Sequence, residues 1–451
     1  MKRLTILVTI AFLLGMFLGA QTRAEEASPP NIYSGDFWTR STLTGDWWGA
    51  RHILAEKGIT FDLSWTQVGQ GVVSGGKDEG WKYGGRGDLT INVDTQKLGL
   101  WPGGFFTVEV EGNYTKSVND KTGALMPVNT NQIFPMPTGE NLNVPNVSFT
   151  QFFSPYAGVA LGKLATLTST SGDMNEFAHG KGDTQFMNTA FNINPVTLLT
   201  VPYSTLGAGL IVLPTKDAQA AIVNFFVLQT NGQANTSGFG DLHSNQLTFS
   251  GEARVRTSFF GLTGHQLIGG GYSNSDFTSL DQDLRFIIEN RTLEKQKGSW
   301  NFYYNFDQYL YEPNKGSGQG LGIFGRFGVS DGNPNPAHFF FSVGVGGKGI
   351  IPGRPLDRFG IGYYYIDVGD LKFRTILGTE SFLRDEHGFE AFYNFALTPW
   401  MQLTPDIQVI RPAQKEVITI GQGPILGLPR ITGRENVHTA TVLGLRLQLV
   451  F

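Results

Sequence analysis

From Gly58 to Phe451 the chain has almost no helical period, and after its first twenty-odd residues it has no run of ~20 apolar residues that could form a membrane helix. Polar and apolar residues instead alternate with a period of two, in roughly sixteen segments of mostly ten to thirteen residues. Soluble strands average about five or six residues, so these lengths suit tilted strands that cross a bilayer. The connections point the same way. "GLWPG", "SPY", "TKD", "FFGL" and "LTP" are short, and they alternate with long connections near 118–145, 169–204, 231–244, 275–297 and 412–436. Short turns on one rim and long loops on the other describe a transmembrane antiparallel β-barrel of about 16 strands. "DGNPNPA" at 331–337 is short for an outer loop.

The start of the chain supplies an address. Lys2 and Arg3 precede an apolar run from Leu4 to Ala20, and Thr22 and Ala24 are small, so residues 1–24 read as a secretory signal peptide. Its removal takes three basic residues and no acid, leaving 31 basic against 38 acidic residues and a net charge of −7. A mildly acidic exported chain is a poor nucleic-acid partner. With no Cys, it has no disulfides, thiolate metal sites or cysteine nucleophile. Residues 25–57 form an N-terminal segment with a short periplasmic helix of about three turns: Asp46 is its N-cap, Trp47, Ala50 and Leu54 share a face, and Gly58 stops it. Residues 58–451 are the barrel.

Alternation assigns the faces. A charged side chain on the lipid face at mid-bilayer costs roughly 2–4 kcal/mol for Lys or Arg, and less for Asp or Glu. In "GGFFTVEVEGNYTKS", Phe106, Val108, Val110 and Tyr114 therefore face out, while Thr107, Glu109, Glu111 and Asn113 face in. The same rule turns Arg86, Asp88, Glu252, Arg254, Asn305, Asp307 and Arg326 into the lumen, with Glu390, Asp406 and Gln408 closing the circuit. The result is a wet, mixed-charge interior. The long connection at 169–204 follows the fifth strand, and folded inward it narrows the pore with Asp173, Glu176, Phe177, His179 and Lys181 as its contacts. In "VLGLRLQLVF", Leu443, Leu445, Leu447 and Leu449 alternate with Arg446 and Gln448; this is the closing strand, which pairs with the first. Its aromatic end, Phe451, is the candidate signal for the barrel-assembly machinery.

Motifs of catalysis fail. "GVGGKG" at 344–349 lacks the ending and helix of a phosphate loop, and glycine on a curved strand accounts for it. "RGD" at 86–88 lies within a strand, and the seven His form no metal-binding pattern. The reading is a non-enzymatic channel without cofactors.

Two phrases add specificity. "GDWWGARHILAEKGITFDLSWTQVGQG" (45–71) and "HGFEAFYNFALTPWMQLTPDIQVIRPA" (387–413) resemble the opening and late hairpin of the carbohydrate-selective porins, the OprB family, with "KLGLWPGGFFTVEVEG" and "GIFGRFGVSDGNPNP" similar between them. The resemblance implies a Gram-negative outer-membrane barrel that functions as a monomer. It also implies passive diffusion of glucose and similar monosaccharides past a constriction of arginine, acidic and aromatic side chains. Arg86 and Arg326 are the arginines it carries over. The long loop has Phe177, Phe186 and Phe191 but no Trp for a stacking platform. Sugar hydroxyls both donate and accept, which suits amides and mixed charges. A general or anion-leaning porin is the alternative, which Glu109 and Glu111 oppose; a soluble secreted carbohydrate-binding β protein is a further one.

Overall fold

The structure is a computed structural model, and it describes residues 31–451 except 115, 134–141, 167–174, 180–181, 242–244, 284–291, 376–377 and 423–428. The signal-peptide reading of 1–24 lies outside the described residues. Tyr33–Phe451 form one compact unit.

Sixteen antiparallel strands close into a barrel, each paired with its neighbours in sequence. They are β1 (Ile59–Gly76), β2 (Gly80–Asp94), β3 (Gly104–Asn113), β4 (Leu142–Ser154), β5 (Ala157–Ala165), β6 (Ser204–Val212), β7 (Ala221–Gln229) and β8 (Leu247–Phe259). The second half is β9 (Leu262–Thr278), β10 (Lys295–Tyr311), β11 (Gly320–Ser330), β12 (Ala337–Lys348), β13 (Arg358–Val368), β14 (Glu386–Thr398), β15 (Met401–Arg411) and β16 (His438–Val450). Closure is made by β1 and β16, with Trp65 opposite Leu449 and Gln67 opposite Leu447. The terminal alternation is thereby used as expected: Leu443 and Leu445 are exposed on the outer face, and Arg446 is fully buried inside. The outer face is apolar on strand after strand, with Trp65, Phe106, Phe225, Ile268, Phe302, Ile361 and Phe389 all exposed. Only lipid satisfies such a surface, and a closed barrel leaves no backbone edge unpaired in it.

Three local expectations are corrected. First, the alternation places the opening strands at 58–69 and 83–97, but β1 runs on to Gly76 and β2 starts at Gly80, so the first outer connection is only 77–79; it is tied down by Lys121, whose carbonyl accepts from the N–H groups of Lys77 (2.7 Å) and Asp78 (3.2 Å). Second, three outer connections carry strands of their own: 281–283 from one joins 372–375 and 378–381 from another in a small sheet, and in a third 416–422 pairs with 429–436. Third, the N-terminal helix is shorter than three turns. A 3₁₀ turn (Trp47–Gly49) precedes α1 (Ala50–Glu56), because Trp47 (φ 50°) and Trp48 (φ 58°) take left-handed backbone angles. Asp46 still accepts an N–H of the first turn, that of His52 at 2.9 Å, but reaches it across the kink. The buried residue of α1 is Arg51 rather than an apolar face.

The long connection 166–203 does turn into the barrel. Its phenylalanines are the reason: Phe177, Phe186 and Phe191 are all but fully buried against the inner faces of β10–β14. Phe186 stacks on Phe191 at 4.5 Å and meets Phe324 and Phe392 edge-on, Phe191 meets Tyr364, and Phe177 meets Tyr309 at 4.9 Å. Glycines in the wall make the room. A Cβ at Gly346 would lie 2.7 Å from the Phe177 Cβ, and one at Gly362 would lie 2.5 Å from the Phe191 ring.

Candidate functional site in the lumen

The inserted loop divides the interior into two unlike halves. On β11–β15 the inward side chains Phe324, Arg326, Ser342, Tyr364, Glu386, Glu390, Asn394 and Gln408 are completely or almost completely buried. On β2–β4 and β8 the inward residues Thr90, Asn92, Thr107, Ser148, Thr150, Ser250 and Glu252 stay partly open. Among the described residues, these strands therefore carry half-open inward positions as well as buried ones. The wet, mixed-charge interior expected from the sequence is corrected in part: an apolar cluster of the loop phenylalanines with Tyr309, Phe324, Tyr364 and Phe392 packs beside the buried charges of β10–β14.

The inward charges on the packed half hold the loop. Arg326 donates to the carbonyl oxygens of Phe191 (2.7 Å) and Ala178, and Arg446 to those of Gly182 (2.5 Å) and Gln185 (2.9 Å). Glu390 accepts from the N–H groups of Met187 (2.5 Å) and Asn188 (2.9 Å). Glu386 does the same for the preceding long connection, through Met126 N at 3.0 Å. A charged side chain buried on a barrel wall thus finds partners in loop backbone that has no ladder of its own.

Arg86 sits in the other half behind two carboxylates. Its Nε donates to Asp88 at 3.0 Å and an Nη lies 3.5 Å from Asp183, while its own side chain is 1% exposed against 14% and 22% for the two acids. Asn131 Nδ2 donates to Asp183 at 2.6 Å, and Tyr203 donates its hydroxyl to Glu111 at 2.5 Å. Glu109 is nearly buried beside this group. Further round, Glu252 accepts from the Tyr303 hydroxyl (2.6 Å) and Asn224 (3.3 Å), and Arg254 is turned to the Ala218 carbonyl at 2.9 Å near the short-turn rim. Asn305 and Asp307 are buried; Asp307 bonds His265 at 2.9 Å and the Glu176 N–H at 3.2 Å.

Below the loop, toward the short-turn end, is a cavity of about 90 Å³ lined by Glu176, Phe177, His179, Gln185, Tyr309, Lys348 and Arg358, among others. Gln185 braces this bend, accepting from His179 N at 2.7 Å and donating to the Glu176 carbonyl at 2.8 Å. Arg358 donates to the Thr184 hydroxyl at 3.0 Å. Burial first, then the neighbouring Asp307 carboxylate, raises the Glu176 carboxyl above its ordinary range. Of the candidate loop contacts, Glu176, Phe177 and His179 meet here, while Asp173 and Lys181 lie outside the described residues. Lys348 and Arg358 escaped the sequence reading. Lys348 lies within the glycine-rich "GVGGKG", two residues after Gly346, which makes room for Phe177 and so brings the loop beside that lysine.

Phe451 lies at the short-turn rim. Its N–H donates to the Leu63 carbonyl (2.8 Å), and its carbonyl accepts from Arg51 Nη1 (2.8 Å).

Comparison with known proteins agrees with this architecture. The profile of the carbohydrate-selective porin, OprB family, matches residues 78–451. Porin B of Pseudomonas aeruginosa is 24% identical over 481 aligned positions, which cover 98% of this chain and 96% of that protein. The high-pH structure of Pseudomonas putida OprB superposes with a TM-score of 0.73 at 22% identity, covering 92% of this chain and all of that one. Its low-pH structure gives a TM-score of 0.53 at 18% identity, covering 92% and 99%. The described residues contain no cluster of His, Asp or Glu able to hold a metal. A closed, lipid-faced 16-strand barrel with an inserted loop, matched along most of its length by that profile, is an outer-membrane β-barrel, and the chain belongs to the carbohydrate-selective porin, OprB family.

Proposed function

We propose that this porin passes neutral monosaccharides, glucose among them, by passive diffusion along the half-open wall. The observation that carries the reading is that donors and acceptors lie side by side: Lys348 and Arg358 line the lower cavity with Glu176, and the more open carboxylates Asp88 and Asp183 are held by the buried Arg86. A sugar hydroxyl exchanges hydrogen bonds with both kinds of group. A permanent ion of either sign meets a like charge, so mixed charge disfavours strong ion selectivity. The phenylalanines of the loop are packed into the wall, and Tyr309, Phe359 and Phe392 join Phe177 as the aromatic lining of the lower cavity. Contacts must be few and weak for the solute to leave.

One chain encloses the whole path, so no second copy is needed to form it. The adjacent cations Lys348 and Arg358, paired directly across β12 and β13, favour the anion-leaning alternative at that one point. Liposome swelling separates the readings. Glucose and arabinose should enter faster than size-matched uncharged non-sugars and faster than small organic anions. Equal rates for sugars and non-sugars would refute sugar selectivity, and faster anions would favour the alternative.

A further inference from the structure

The N-terminal segment is folded inside out for an element in water. The cation at its centre is hidden, whereas Lys57 at its end is exposed: Arg51 is 2% exposed, donates to the Phe451 and Phe61 carbonyls (2.8 and 2.6 Å), and lies over the Tyr33 ring at 4.4 Å. Its large apolar groups are bare: Trp48 is fully exposed, Trp38 66% exposed and Ile53 51% exposed. Among the described residues, no ring contact or side-chain hydrogen bond of Trp48 offsets the cost of its left-handed backbone and exposure.

The position of the segment explains what this surface meets. Trp47 packs 5.9 Å from Phe61, which is in the same outward register of β1 as the exposed Leu63 and Trp65. The apolar face is thus continuous with the lipid-facing wall at its short-turn end. We propose that residues 33–57 are an interfacial anchor, in which Trp48 and Ile53 enter the headgroup–acyl boundary of the periplasmic leaflet of phospholipid. Tryptophan is enriched at that depth because its ring is apolar and its N–H polar. A short amphipathic element with its apolar side outward lies in the interface plane rather than across it. Held there, α1 presses Arg51 onto the β1–β16 seam.

The absence of Cys makes the test direct. Trp48→Cys, Ile53→Cys and, as a solvent reference in the exposed short turn before β11, Asn314→Cys each carry a single nitroxide in the full chain, reconstituted at high dilution in phosphatidylethanolamine–phosphatidylglycerol vesicles. Power saturation compares collision with oxygen, which partitions into lipid, and with a nickel chelate, which stays in water. Labels at 48 and 53 should give an oxygen-to-nickel ratio above that at 314. Equal ratios at all three sites would overturn the proposal, since the segment would then stand in water. Shielding of 48 and 53 from both reagents would also overturn it, because protein rather than lipid would cover them. The two sites report independently, so a barrel that fails to assemble with one label leaves the other as the test.

Discussion

Replacing Arg326 by leucine should unlatch the inserted loop without harming the barrel. The guanidinium supplies two hydrogen bonds, to the carbonyls of Phe191 at 2.7 Å and Ala178. Leucine leaves both acceptors unpaired, at roughly 1–3 kcal/mol each, so the loop loses about 2–6 kcal/mol of local hold. What remains is considerable. Phe177, Phe186 and Phe191 each contribute about 1.5–3 kcal/mol by burial. Arg446 and Glu390 keep their own bonds to the loop. The loop therefore stays mostly seated, but even 2 kcal/mol raises the lifted population about thirty-fold. In planar bilayers the wild type should show one main conductance, while R326L visits a larger one and the R326L/R446L pair occupies it most of the time. Sugar discrimination in swelling assays should fall in step. The strand ladder is untouched, so heat-induced unfolding of the barrel on gels should move little. Identical conductance histograms for wild type and the double variant would refute the latch.

Other perturbations address the lower cavity, the packing and the rim. Because burial raises the Glu176 carboxyl, it should take up its proton, and ion selectivity shift toward anions, at a higher pH than an ordinary carboxylate as pH falls; reversal potentials in a salt gradient should show that step in the wild type and not in Glu176→Gln. Lys348→Met removes one donor, worth about 1 kcal/mol, and should slow glucose swelling by about five-fold while turning ion selectivity toward cations. Gly346→Leu drives a side chain into Phe177 and should reproduce the enlarged conductance of the unlatched variants, read in the same bilayer assay. Phe451→Ala should reduce the amount of folded barrel recovered from outer membranes, while the molecules that do insert keep wild-type sugar rates.

The barrel was legible because its physics is local. Alternation in "FFTVEVEGN" or "LGLRLQL" needs only a two-residue period and the cost of charge in lipid, and both strands fold with the expected faces. The destination of the inward charges was not local. Nothing around Arg326 announces that its partners are the carbonyls of residues 178 and 191, more than 130 positions upstream, because loop backbone carries no side-chain signature. The bend at Trp47 and Trp48 escaped for a related reason: the sequence suits a continuous helix, and the seam contacts of Arg51 select a shorter one.

The berth of the inserted loop has a consequence for engineering. Phe177 and Phe191 rest where Gly346 and Gly362 have no side chain, so the loop's shape is cut into the strands themselves. Loop and wall are then one part in two pieces. Grafting 166–203 onto another barrel would bring the filter without its socket, and the transplanted phenylalanines would collide with whatever residues stand in place of those glycines. A successful transfer has to move the matching stretches of β12 and β13 as well.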